Sequence, residues 1–171
     1  LAEIVPREPG TELPPGATDS RIDGFVARRA VTIPPEVRDW LRFTDGPAIG
    51  QGGVFGLDDF DETYGSLPGF QERNWLSLGT DGCGGYYVLA LAAEEQPLRP
   101  VYYVDPHSTG YDEPTYVVAS NFWRFLWFLF RSGPGEKDWP FHEAVVLAAD
   151  PELASVKSAP LPWEADGESR N

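Results

Sequence analysis

The chain has 171 residues, 42% of them hydrophobic and 13% aromatic, which is enough apolar material for one domain with a real core. Thirteen basic and 27 acidic residues leave a net charge of −14, which excludes general nucleic-acid binding because phosphate contacts need Lys and Arg. No apolar run reaches the roughly 18 residues of a membrane span, and the single Cys83 cannot form an internal disulfide, so a reducing, cytoplasmic setting without membrane contact is expected. No export leader is visible, and Leu1 reads as a trimmed or tag-derived start. The acidity either keeps the protein soluble or steers a basic partner toward it.

Residues 1–17 are Pro-rich and aperiodic and read as an N-terminal arm on the surface. Thr18 or Asp19 can cap a helix through Arg29, with Ile22, Phe25, Val26 and Arg29 on one face. IPPEVRDWLRFTDG starts a second helix, with proline in its first turn, Val37, Trp40, Leu41 and Thr44 on one face, and Gly46-Pro47 as its stop. GGVFGL (52–57) reads as a short strand and DDFDETYG as an acidic connection. NWLSLGT (74–80) and GYYVLAL (85–91) read as a hairpin around DGCG. The second of these strands is apolar on both faces, so it is expected to be central and covered twice. EEQPLRP is a turn, VYYVD (101–105) a strand, HSTGYDEP a loop and TYVVAS (115–120) another strand. Ser120 then caps the helix NFWRFLWFLFR, which ends at Ser132-Gly133-Pro134. One more helix is expected over 138–154, before an acidic, Pro-bearing tail.

Strands grouped between helices predict an α+β fold, an antiparallel-rich sheet flanked by N-terminal and C-terminal helices. The expected organisation is an arm (1–17), a core domain (18–132) and a C-terminal helix and tail (133–171) packed on that core.

Cys83 lies in TDGCGGYY, a stretch that raises both a nucleophile and a phosphate cradle. A nucleophilic Cys needs a base such as His107 within reach and a feature that lowers its pKa. A phosphate cradle needs a helix after its glycines. Here a strand follows, so the glycines read as hairpin-turn residues. DDFDETYG lacks the alternating ligands and central Gly of a calcium loop. Asp105, His107, Asp112 and Glu113 are a weak metal set, with one His among exposed acids. No spacing singles out a glycosidase carboxylate pair. No catalytic residue, metal or cofactor is assigned. The helix NFWRFLWFLF has almost no polar face, so it is either buried on several sides or awaits a partner.

The order of four segments carries a resemblance. IPPEVRDWLRFTDG resembles the helix that opens SUKH-superfamily domains, relatives of a yeast cell-wall-assembly regulator. NWLSLGTDGCGGYYVLAL is similar to that family's Asp-Gly-x-Gly hairpin, PVYYVDPHS to its following strand, and YVVASNFWRFLWFLF to its closing strand and helix. The four cover Ile33 to Phe130 in the family's order. Gly85 stands where the family frequently has an acid, and Ala90 or Leu91 where an Asp often ends the strand. The resemblance implies an α+β fold and, for bacterial members, an immunity protein that binds and blocks a toxin domain, often a nuclease, with no catalytic residues.

The partner expected on this reading is a cognate, basic toxin domain, bound by a monomer or weak homodimer. The expected contact surface is Asp58, Asp59, Phe60, Asp61, Glu62 and Tyr64 together with Asp105, His107, Tyr111, Asp112 and Glu113. Acids there supply steering, and exposed Phe60, Tyr64 or Tyr111 supply anchors. The alternatives are a regulatory or scaffold adaptor with another protein partner, and an enzyme using Cys83 with His107.

Overall fold

The computed structural model describes residues 13–48, 52–91, 99–131 and 139–168. The first eleven residues of the expected arm, most of the EEQPLRP turn, the Ser132-Gly133-Pro134 helix stop and Asp138 lie outside them, as does Glu12. Among the described residues the core is a four-stranded antiparallel sheet in the order β1-β2-β3-β4, flanked by helices, and the fold is α+β.

Helix α1 spans Asp19–Arg29 and α2 spans Pro35–Phe43. Thr18 accepts the Arg21 N–H at the start of α1, and proline occupies the first turn of α2, where a missing N–H costs nothing. Ile22 and Phe25 of α1 and Val37, Trp40 and Leu41 of α2 are buried, as the 3.6-residue period requires. The end of the expected arm is tied to α2: Ala17 is buried and donates its N–H to Leu41 O, and Thr44 donates its hydroxyl to Pro14 O.

The acidic stretch is not a connection. Residues Leu57–Ser66 form α3. Asp45 Oδ1 accepts the Leu57 N–H at 2.6 Å and Asp59 Oδ2 accepts the Gly56 N–H at 2.9 Å, so carboxylates hold the end of the helix that favours negative charge. Leu57, Phe60 and Tyr64 form its buried face. The strand expected over 52–57 shrinks to a single bridge, Val54 to Gly79, with Phe55 N–H donated to Leu78 O. Gly53 takes a φ of 80°, outside strand geometry, and the absent side chain of Gly79 lets the two backbones approach: a Cβ there would lie 2.5 Å from Gly53 O.

Strands β1 (Trp75–Thr80) and β2 (Tyr86–Ala90) form the expected hairpin, with a bulge between Ser77 and Gly79. Strands β3 (Val101–Val104) and β4 (Tyr116–Ala119) complete the sheet, which leaves β2 an interior strand. On one face Tyr87, Tyr103 and Tyr116 lie side by side across β2, β3 and β4. On the other face Phe70, from the turn before β1, packs on Trp75, Tyr86 and Tyr111.

Helix α4 spans Phe122–Arg131. Asn121, not Ser120, caps it: Asn121 Oδ1 accepts the Arg124 N–H at 3.0 Å. Ser120 is occupied elsewhere, because its N–H and Oγ both donate to Asp150 at 2.7 and 2.6 Å. The helix expected over 138–154 divides into α5 (Glu143–Ala149) and a 3-10 turn (Pro151–Ser155), broken where Pro151 follows Asp150. The acidic tail also contains structure: Pro160 O accepts the Val117 N–H on the outer edge of β4, Ser158 bonds Tyr102, and Pro162–Glu168 form α6.

Candidate partner-binding surface

The hairpin turn is organised by Asp81. Its Oδ1 accepts the N–H groups of Cys83 and Gly85 at 2.8 and 2.9 Å, and its Oδ2 accepts the Tyr103 hydroxyl at 2.7 Å. Gly82 and Gly84 take positive φ (77° and 109°), which the turn needs and L side chains resist. Burial, reinforced by the hydrogen bond to Asp81, holds the Tyr103 phenol above the ordinary tyrosine range, so it remains a proton donor to the carboxylate. Tyr103 in turn stacks on Tyr116, with ring centroids 4.9 Å apart. Gly85, at the position where the family pattern has an acid, is what admits this ring: a Cβ there would lie 2.0 Å from Tyr103 Oη. Cys83 is exposed, and strand β2 rather than a helix follows it.

The β3–β4 loop lies beside this turn. A Cβ on Gly84 would be 3.6 Å from His107 Nε2, so the loop does approach the cysteine-bearing hairpin. The loop folds on itself: Asp105 Oδ1 accepts the His107 N–H at 2.9 Å, Thr115 Oγ1 accepts the Asp105 N–H at 2.9 Å, and Thr109 donates to Glu113 O. Asp112 reaches Arg73 at 2.8 Å. No group of three or more His, Cys, Asp or Glu among the described residues is arranged to hold a metal ion.

The two segments expected to meet the partner are joined through the turn that follows α3. Tyr111 packs on Phe70 and Asp112 pairs with Arg73, while α3 ends at Ser66 just before that turn. The two aromatic anchors on α3 are corrected: Phe60 and Tyr64 are 1% and 2% exposed and belong to the core. They fall on the apolar period of a helix, not on an exposed loop. Tyr111 is half-buried between Phe70 and Tyr86.

The acids divide into two groups. Asp58 pairs with Arg21, and Asp61 with Arg28 and Arg29, so these carboxylates are neutralised by α1. Burial raises the pKa of Asp61, but the bonds from Arg28 and Arg29 together outweigh it and hold the carboxyl below its ordinary value. Asp59 is engaged by the Gly56 N–H and Asp105 by the His107 N–H. Asp59, Glu62, Asp105 and Glu113 are at least partly exposed and are not in an ion pair among the described residues.

The helices before the sheet, the Asp-Gly-x-Gly turn pinned to β3 and the start of the aromatic helix after the sheet all lie in a stretch of sequence that a family comparison matches. The model of the SMI1 / KNR4 family (SUKH-1) matches residues 16–126, well over half of the chain. The chain belongs to this family. The SUKH-1 match begins just before α1 and ends within α4, so α5, the 3-10 turn and α6 follow the matched region. No curated protein matches the sequence.

Proposed function

We propose that this SUKH-1 domain is a non-enzymatic, cytoplasmic immunity protein that binds and neutralises a cognate toxin domain, with a basic nuclease as the favoured class. The supporting observation is the distribution of charge. The acids facing α1 are cancelled by its arginines, whereas Asp59, Glu62, Asp105 and Glu113 remain without a cation among the described residues. Those four, with His107 and the half-buried Tyr111, are the proposed contact surface. Uncancelled carboxylates on a chain of net charge −14 accelerate encounter with a basic cleft and occupy the places of phosphates.

The test is to mix the purified chain with the toxin domain encoded by the neighbouring gene. A stable complex and loss of toxin activity are expected. A toxin that remains active and uncomplexed overturns the reading. Within the complex, Asp105→Lys with Glu113→Lys is expected to weaken binding by about tenfold at low salt and to flatten its salt dependence. An unchanged Kd and salt slope would move the contact elsewhere on the surface.

A further inference from the structure

Helix α4 buries Phe122, Phe125, Leu126 and Phe128. Its remaining arc holds Trp123, Arg124, Trp127, Phe130 and Arg131, which are half-buried or exposed. Arg124, Trp127 and Arg131 fall at i, i+3 and i+7, one line along the helix, and the Arg131 guanidinium lies 4.3 Å from the Trp127 ring centroid. The arc continues onto α2, where Phe43 is 43% exposed and shares Trp40 as a neighbour with Phe130.

The charges on this arc are unusual for this chain. The other described arginines, those of α1 and α2 together with Arg73 and Arg99, each pair with a carboxylate. Arg124 and Arg131 do not, among the described residues, although acids outnumber bases two to one in the sequence. Two guanidiniums with no carboxylate partner among the described residues therefore rise from positions about 10 Å apart along one helix, with the Trp127 indole between them and Arg131 stacked on it.

We infer that this face of α4 docks an acidic segment of a protein partner, distinct from the surface proposed for the toxin. Two carboxylates about one i to i+7 repeat apart would meet Arg124 and Arg131, and an apolar side chain between them would cover Trp127. A second copy of this chain fits poorly, because pairing two α4 helices about a two-fold axis sets Arg124 against Arg131 of the other copy. An anionic membrane fits poorly as well: a bilayer presents its negative potential to the whole molecule, with its charge of −14, whereas a segment meets only the arc.

The experiment is calorimetric titration of the chain, at low salt, with a synthetic helical peptide carrying two glutamates seven residues apart around a leucine. Vesicles of phosphatidylcholine with phosphatidylserine are titrated in parallel. Peptide binding is expected, with a loss of about tenfold or more in Arg124→Glu with Arg131→Glu and in Trp127→Ala, and little binding to vesicles. A variant that keeps wild-type circular dichroism is a valid reading; the two arginines are exposed, and the half-buried Trp127 is read only where its variant keeps that signal. Absence of peptide binding, unchanged affinity in the double variant, or vesicle binding in place of peptide binding overturns the inference. None of these outcomes bears on the toxin reading, which rests on other residues.

Discussion

Asp81 gathers two backbone N–H groups and one phenol onto a single carboxylate, and Gly85 makes room for the ring that carries that phenol. Gly85→Ala tests this. Its backbone is not in the positive-φ region, so the cost is steric: the Tyr103 ring, held between Tyr87 and Tyr116, must move away from Asp81. Overpacking of this kind costs about 1–3 kcal/mol, read as a lowered urea midpoint with an unchanged m-value. Asp61 gives a second test at this scale. Its folded pKa lies below the ordinary value of 3.8, so its contribution to stability is present above the unfolded pKa and is lost as pH falls through the folded one. Asp61→Asn is expected to flatten that acid limb in urea unfolding at a series of low pH values. A limb of unchanged steepness would place the acid sensitivity on other carboxylates.

At the scale of elements, a buried carboxylate joins the two halves of the chain. Asp150 is fully buried at the end of α5 and takes both donors of Ser120 at the junction of β4 and α4. Asp150→Ala leaves those donors without acceptors and is expected to cost about 1–3 kcal/mol, measured by chemical unfolding. Ser120→Val removes the hydroxyl donor and leaves the backbone N–H on Asp150, which separates the hydroxyl bond from the backbone one. Helices α1 and α2 were legible because a start signal agrees with the apolar period in each, the Thr18 cap in α1 and the first-turn proline in α2. The β1–β2 hairpin was legible because glycines interrupt two apolar runs. Helix α3 was misread because its acids resemble a solvated loop, although Leu57, Phe60 and Tyr64 already sit at i, i+3 and i+7 and the acids cluster at the end of the helix where they are favoured. The cap of α4 was assigned one residue early, since nothing local to Ser120 reveals a distant Asp150. The candidate surface was read less well than the fold: burial of Phe60 and Tyr64 and the pairing of Asp58 and Asp61 depend on the packing of α3 against α1, which a local pattern does not contain.

Over the whole molecule, charge is sorted by partner. The arginines of α1 and α2 pair with Asp19, Asp23, Asp45, Asp58 and Asp61, whereas Asp59 and Glu62 on α3 and Asp105 and Glu113 in the β3–β4 loop have no cation among the described residues. The sheet is also closed at both sides: Val54 and Phe55 bond β1, and Pro160 bonds β4. Removing residues 156–171 uncovers the outer edge of β4 and is expected to produce stronger concentration-dependent association in sedimentation velocity than the full chain gives. A truncated chain that sediments as a monomer would mean that the tail is not what protects this edge.

Those covered edges bear on how such a domain can change its partners. Strand addition reads a ligand mostly through main-chain groups, which substitution alters little. With main-chain groups of β1 and β4 already engaged at Leu78, Gly79 and Val117, strand addition is opposed, and the surface left to vary is side chains on loops and helix faces. These can be exchanged one at a time while the sheet stays as it is, so a new specificity can arise without a new fold.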